Sequence, residues 1–293
     1  GGQPEPPLPH TLGSDGAGVV EEEGEGVTGL KGTEVLLDPS LGCGHCERCR
    51  AGEASECDKF GILGESRAGT FAEYLVCPAS SCYPKPPGMS FEAAAAFGLT
   101  SLTAYRMLFT RGRLQAGEDV LIHGVGGGVS TSALVLSQAA GARAIVTSSS
   151  DDKLRKAHVF GAHAGINYVT TPKVARAVLE LTDGRGVDLV VDSTGKATWR
   201  QSLKALRKGG RLVTCGATTG GDPPADIQTI FWKQLSILGS TMGSPGDMRA
   251  VVRLAHQGLA RPIIDQSLPF SEAVSALRLL EQGEQFGKIV LTI

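Results

Sequence analysis

Val120-Leu121-Ile122-His123-Gly124-Val125-Gly126-Gly127-Gly128-Val129-Ser130 is the stretch on which the fold turns. An apolar run enters a glycine cluster, and a helix-forming segment over residues 131–140 follows and stops at Gly141. The order is strand, tight turn, helix. Such a turn needs residues that accept positive φ and carry no Cβ. The helix after it offers unpaired N–H groups and the positive end of its dipole above the turn. A diphosphate is the natural occupant of that position. A glycine fingerprint alone has little specificity, so its surroundings must carry the reading.

From Asp119 onward the pattern alternates strand and helix. Strands are expected over 119–123, 144–148, 187–192, 211–215 and 235–240, and helices over 131–140, 152–160, 173–182, 197–207 and 247–257. Val187-Asp188-Leu189-Val190-Val191-Asp192 and Arg211-Leu212-Val213-Thr214-Cys215 are dense apolar runs, as parallel strands covered on both faces require. This is a doubly wound α/β sheet, whose ligands sit beyond the carboxyl ends of the strands. Residues 124–130, 148–150, 193–195 and 216–218 would line that rim. Upstream, short strands and frequent glycines suggest a small β-barrel, with Val35-Leu36-Leu37 and residues 69–76 as strands. Residues 1–10 are Pro-rich and read as a loop. Ser90 caps a helix through 92–96, a second covers 101–110, and a helix over 271–282 stops at Gly283 before a last strand, 288–293.

The chain has 293 residues, enough for two cores. A net charge of −2 argues against nucleic acid or an anionic membrane as partner. No apolar run is long enough to span a bilayer, and the start lacks the basic and apolar regions of a signal peptide, so a cytoplasmic protein is expected. Cys43, Cys46, Cys49 and Cys57 follow a C-x2-C-x2-C-x7-C spacing. Four thiolates on one short loop can close a tetrahedron around zinc with no open position, a structural site. The last spacing does not match a ferredoxin iron–sulfur run. His45 reads as a solvent-facing spacer, and Cys77 and Cys82 as ordinary thiols.

The order of β-rich region, four-cysteine loop, Rossmann sheet and returning tail resembles the medium-chain dehydrogenase/reductase superfamily, near zinc-containing alcohol dehydrogenases and quinone oxidoreductases. Gly13-Ser14-Asp15-Gly16-Ala17-Gly18, the cysteine loop, Gly69-Thr70-Phe71-Ala72-Glu73-Tyr74, Leu102-Thr103-Ala104-Tyr105, residues 124–130 and Phe286-Gly287-Lys288-Ile289-Val290-Leu291 carry the likeness. It implies a GroES-like barrel domain from 1–100 and 242–293, incomplete at its N-terminus, and a dinucleotide-binding domain from 101–241. It also implies a homodimer or homotetramer paired through the strand near Leu235-Ser236-Ile237-Leu238, and a small-molecule substrate. The chain departs from the family at three points. The first barrel strands are missing, Ser14-Asp15 stand where zinc enzymes have His-Glu, and Leu99 stands where they have a cysteine. A structural zinc without a catalytic one is therefore expected.

Enzymes that use NAD place an acidic residue at the end of the second sheet strand. Here Ser148 and Ser149 stand there, with Lys153 close behind, which favours NADP over NAD, while Ser150 caps the next helix ahead of Asp151 and Asp152. The expected cofactor contacts are Gly124, Gly126, Gly127, Gly128, Val129, Ser130, Ser148, Ser149, Lys153, Thr194, Gly216, Ala217 and Lys288. Ser130 offers a hydroxyl toward a phosphate, and Lys288 matches a basic family residue at the pyrophosphate. No residue is assigned as catalytic; Ser14, Asp15 and Thr103 are the candidates, against turn chemistry for the first two and helix packing for the third. The expected activity is hydride transfer involving a quinone, enone or other carbonyl or alcohol. The alternatives are a zinc-dependent alcohol or aldehyde dehydrogenase with unusual ligands, and an inactive nucleotide-binding member.

Overall fold

A computed structural model describes residues 8–293, so most of the Pro-rich opening read as a loop lies outside the described residues. A six-stranded sheet forms the larger layer. Its spatial order is Ser236–Gly239, Leu206–Thr214, Val187–Asp192, Asp119–Ile122, Arg143–Ser148 and Ala164–Asn167, and every pairing is parallel. Asp119–Ile122, the first strand in sequence, lies at the centre where the winding reverses. That is the topological switch point, and the glycine turn rises from it.

Burial explains the apolar runs. Leu121, Ile145, Val190 and Leu212 pack on one face with Val174, Val178 and Leu203 of the helices Val174–Leu181 and Lys196–Ala205. Val120, Ile122, Val146, Val191 and Val213 pack on the other with Leu134, Met248 and Val251 of the helices Gly128–Ala139 and Pro245–His256. At the amino ends of the strands, Asp119 and Asp188 meet Arg143, Arg185 and Arg207. Burial pushes the Asp188 carboxyl up, but its bonds from Arg185 and Arg207 outweigh this and hold it well below the usual carboxylate range. The charge at that end is thus compensated, leaving the carboxyl ends of the strands as the ligand face.

The β-rich part carries an antiparallel sheet of Ala17–Val19, Glu34–Leu37 and Cys82–Pro84, together with the hairpin-like pair Ser40–Leu41 and Gly61–Ile62. The tail returns to this side as Lys288–Thr292, parallel to Ile264–Pro269. Between the two parts runs one long helix, Phe91–Tyr105, continued by a wider turn over Arg106–Arg111. Two separate helices are expected from the sequence; Gly98 explains their union. A Cβ there would lie 2.5 Å from the Leu37 carbonyl oxygen and 2.9 Å from Asp15 Oδ1. Glycine normally weakens a helix, yet here it lets the barrel sheet press against the helix backbone.

Residues 69–76, expected as a strand, form none. Thr70 and Phe71 donate to the carbonyls of Gly13 and Leu12, and beyond them Tyr74 and Val76 stand 76% and 86% exposed. The run bonds segment 11–13 only through Gly69, Thr70 and Phe71 and forms no ladder beyond them. Strands Ala164–Asn167 and Ile264–Pro269 and the helix Ile227–Lys233 are present without having been expected.

Arg106 is buried and ties the long helix to both parts. Its guanidinium bonds Asp247 at 2.8 Å, in the first turn of Pro245–His256, and Glu53 at 2.7 Å, beside the cysteine loop. Removing one partner of such a pair strands the other charge in a dry site. Arg106→Ala should therefore lose roughly 3–5 kcal/mol of stability, read as a lowered urea midpoint, whereas Glu53→Gln, which neutralises the more exposed partner, should lose less.

Candidate functional site

The glycine turn has the geometry the sequence calls for. Gly124 and Gly126 adopt φ of +66° and +126°, and Gly127 caps the helix Gly128–Ala139. The first helical bond runs from the Thr131 N–H to the Gly127 carbonyl, so the N–H groups of Gly128, Val129 and Ser130 open the helix ahead of it. A Cβ at Gly124 would meet nothing within 4 Å, which leaves space above the turn. The donor set and that space fit a diphosphate.

Two lysines flank this rim. The Lys288 stem passes over the helix start, its Cδ 3.1 Å from where a Gly128 Cβ would sit, and its ammonium reaches Asp15 Oδ2 at 2.6 Å. Gly287, just before it, donates to the Gly126 carbonyl at 2.8 Å, seating the tail on the turn. Lys153 crosses the other side of Gly126 and donates to the Gly283 carbonyl. Burial holds the Lys153 ammonium below its usual value.

The loops after the next two strands close the rim. Thr219 Oγ1 donates to the Thr194 carbonyl at 2.8 Å, and a Cβ at Gly216 would lie 2.9 Å from the Ser193 carbonyl oxygen. Thr194, Gly216 and Ala217 therefore share one wall.

Several side chains differ in role from their sequence reading. The Ser130 hydroxyl does not point to a phosphate; it donates back to the Gly124 and Gly127 carbonyls at 2.8 and 2.9 Å and closes the turn from within. Thr103 is buried and donates to the Leu99 carbonyl at 2.8 Å, as helix packing requires. Ser148 is buried and accepts the Ser150 N–H, while Ser149 is exposed and Ser150 caps the helix Asp151–Val159. Asp15 accepts the Leu99 N–H with the carboxylate oxygen that Lys288 does not use, and its carbonyl accepts the Thr70 hydroxyl. Ser14 sits half-buried beside it.

Beneath the turn lies a chain of buried polar groups that the sequence does not reveal. Thr147 Oγ1 accepts the Gly124 N–H at 3.1 Å and lies 3.3 Å from His123 Nδ1. His123 Nε2 is 3.0 Å from Ser202 Oγ, which donates to Asp192 Oδ2 at 2.9 Å. Asp192 Oδ1 accepts the Thr194 and Gly195 N–H groups at 2.8 and 3.1 Å. Three strand ends are thereby fastened together directly under the rim.

The four cysteines form the second site. One sulfur from each of Cys43, Cys46, Cys49 and Cys57 lies within 4.8 Å of the others, and Cys43 and Cys49 are 3.9 Å apart. Tetrahedral zinc–thiolate bonds imply edges of about 3.8 Å. The backbone N–H groups of Cys46, Cys49 and Lys59 point at three of the sulfurs. The N–H groups of His45 and Cys46 draw the Cys43 thiol down to about 6, while burial and the neighbouring sulfurs push Cys49 up to about 12. Four crowded thiolates need a cation to ionise together, and zinc fits this set. His45 is exposed and bonds the Cys43 carbonyl, so it stays outside the cluster.

The fold and the two sites define a dinucleotide-binding Rossmann protein joined to a GroES-like domain with a zinc lobe. Residues 128–257 match the zinc-binding dehydrogenase family model, and residues 1–87 the alcohol dehydrogenase GroES-like domain. A zinc-type alcohol dehydrogenase-like protein of Schizosaccharomyces pombe is 35% identical across 98% of this chain and 83% of its own. The acryloyl-coenzyme A reductase of Metallosphaera sedula is 30% identical across 97% and 83%. A crystal structure of an NAD-dependent alcohol dehydrogenase is 45% identical, with a TM-score of 0.93 over 98% of this chain and 84% of that one. The chain belongs to the medium-chain dehydrogenase/reductase superfamily, among its zinc-containing alcohol dehydrogenase-like members. It is an NAD(P)-dependent oxidoreductase.

Burial holds the His123 imidazole below its ordinary value, against the pull of Asp192. The unfolded chain then takes up a proton below about pH 6.5 that the native state refuses. This site costs nothing above that pH and destabilises progressively as pH falls through the gap. Urea midpoints measured across this range should decline more steeply for the native chain than for His123→Asn, which keeps a hydrogen-bonding side chain but does not titrate.

Proposed function

We propose that this enzyme uses NADP(H) to transfer hydride to or from a conjugated carbonyl, such as a quinone or an enone, with zinc in a structural role only. The observation that carries the reading is the fate of Asp15. In this chain its carboxylate is committed to Lys288 and to the Leu99 N–H. The neighbouring positions are Ser14 and Leu99, which are not zinc ligands of the usual kind. Conjugated acceptors suit such a site, because their developing negative charge is delocalised and needs no Lewis acid. The likeness to an acryloyl-coenzyme A reductase supports the same substrate class.

The coenzyme supplies the hydride carrier. The chain supplies the rest: the N–H groups of Gly128, Val129 and Ser130 with Lys288 hold the pyrophosphate, and the loops at Thr194, Gly216 and Ala217 wall the nicotinamide side. At the second strand end the Ser149 hydroxyl and the Lys153 ammonium are available to a 2′-phosphate. Asp151 is bonded to Asn167 and Asp152 to Arg155, so both nearby carboxylates are already engaged. Ser14 is the hydroxyl next to Asp15 in sequence, and we assign it to orienting substrate or water.

A second reading, zinc-dependent alcohol oxidation, is favoured by the names of the alcohol dehydrogenase relatives. Metal content separates the two: one zinc per chain supports the proposal, two the alternative. Loss of reduced-nicotinamide absorbance with a quinone and enone panel tests the activity. Lys153→Glu should weaken NADPH by about tenfold or more in KM while changing NADH little; equal loss with both coenzymes would reject the assignment of Lys153.

We further propose a homodimer. The edge strand Ser236–Gly239 follows the helix Ile227–Lys233 in the chain, and on that helix Ile227, Phe231 and Trp232 are exposed. An open strand edge and exposed bulky apolar side chains invite a second copy. Light scattering after gel filtration should give twice the chain mass, and Trp232→Glu should shift it toward the monomer.

A further inference from the structure

Cys77 and Cys82 lie outside both the nucleotide rim and the cysteine loop, and their sulfurs are 3.8 Å apart. The chain between them folds back through Pro78 and the single turn Ala79–Ser81. Both thiols are half-buried, so a small molecule can reach them. They differ in freedom. Cys82 opens the strand Cys82–Pro84 and is held opposite Leu37. Cys77 ends the run 71–77, which belongs to no sheet. One sulfur must approach the other by about 1.8 Å to reach bonding distance, and the unpaired run is the side able to move.

We propose that Cys77 and Cys82 form a reversible dithiol–disulfide pair that a hydroperoxide oxidises. The Cys77 thiolate attacks the peroxide oxygen. The O–O bond breaks, Cys77 becomes a sulfenic acid, and the leaving oxygen takes up a proton as water or alcohol. The Cys82 sulfur then attacks the Cys77 sulfur. The S–S bond forms, the S–O bond breaks, and the hydroxyl leaves as water with the proton from Cys82. Two thiols lose two electrons in total, and the peroxide gains them. An external dithiol reverses the change by exchange.

The environment distinguishes the two sulfurs. Hydrogen bonding from Cys82, helped by the charge of Arg67, draws the Cys77 thiol down to about 7 despite its burial. The same contact, with burial, pushes Cys82 up. With Cys77 on the run that can move and Cys82 fixed in its strand, we assign the attack to Cys77 and the resolving step to Cys82. Closure would fasten residues 71–77 to the sheet that carries the Ser14–Asp15 turn, a run whose Phe71 already lies against Gly13. This inference is independent of which substrate the enzyme reduces.

Peptide mass mapping of the zinc-loaded protein tests it. Cleavage after Arg67 and Arg106, with Lys85 protected by Pro86, yields one peptide whose only cysteines are 77 and 82. After a small excess of hydrogen peroxide and then alkylation, this peptide should turn from doubly alkylated to unalkylated and two hydrogens lighter. Dithiothreitol should restore it. In Cys82→Ser the reaction should stop at a sulfenic acid that dimedone traps on Cys77, and in Cys77→Ser oxidation of this peptide should slow by about tenfold or more. A native peptide that stays doubly alkylated, or that gathers sulfinic acid on Cys77 without losing both alkylation sites, would overturn the pairing.

Discussion

One carboxylate fixes how the three pieces of this molecule meet. Asp15 sits on a turn of the barrel sheet, accepts an N–H from the long helix at Leu99, and binds the ammonium of Lys288 from the returning tail. Its pair with Lys288 is largely withdrawn from water, with side-chain exposures of 15% and 23%. Such a pair contributes little net stability, because desolvation offsets the attraction. Its value lies in geometry. Breaking either half would leave a charge stranded, so turn, helix and tail are held in one relation. Lys288 directly follows Gly287, whose N–H rests on Gly126, and the constraint is thereby passed to the glycine turn.

The other end of the same helix repeats the logic. Arg106 joins Glu53, beside the cysteine loop, to Asp247, which completes a capping box with Ser244. The wider helical turn that begins at Arg106 also brings the Thr110 hydroxyl to Asp247. The long helix is therefore clamped at its middle to the barrel turn and at its end to both the zinc lobe and the Rossmann layer. The cysteine lobe matters in this arrangement because it positions Glu53 as one of the partners of Arg106.

The sheet was legible because parallel strands buried on both faces must be continuously apolar, and Val187–Asp192 and its neighbours are. Ala164–Asn167 escaped because it is short, contains Gly165 and lies at an edge. Gly98 falls between the two helices expected from the sequence, and the Leu37 carbonyl pressed against it accounts for the single helix found. Residues 69–76 alternate as a strand does, yet alternation makes a strand only where a neighbouring edge is present. The cysteine loop was legible because its ligands are close in sequence. The Thr147, His123, Ser202 and Asp192 chain was not, since common residues scattered over more than one strand and helix are joined only by the parallel register.

That hidden chain places a single carboxylate, its oxygens satisfied by hydrogen bonds, beneath the rim. Below the turn, Asp192 is the only formally charged member of the chain just described, and its oxygens are occupied by Thr194, Gly195, Thr198 and Ser202. His123 stays neutral there, so it adds no charge of its own. Above the turn, Lys288 is paired directly with Asp15, whereas Lys153 donates to the Gly283 carbonyl and feels the carboxylates of Asp265 and Glu284 without a direct ion pair. Both cations are thus partly compensated, Lys288 by a direct ion pair over the helix start and Lys153 by more distant carboxylates. An incoming diphosphate must compete with Asp15 for Lys288, while an anion drawn to Lys153 must displace only the Gly283 carbonyl from its ammonium. The positive charge of the rim is consequently tied more closely to a carboxylate over the helix start than at Lys153.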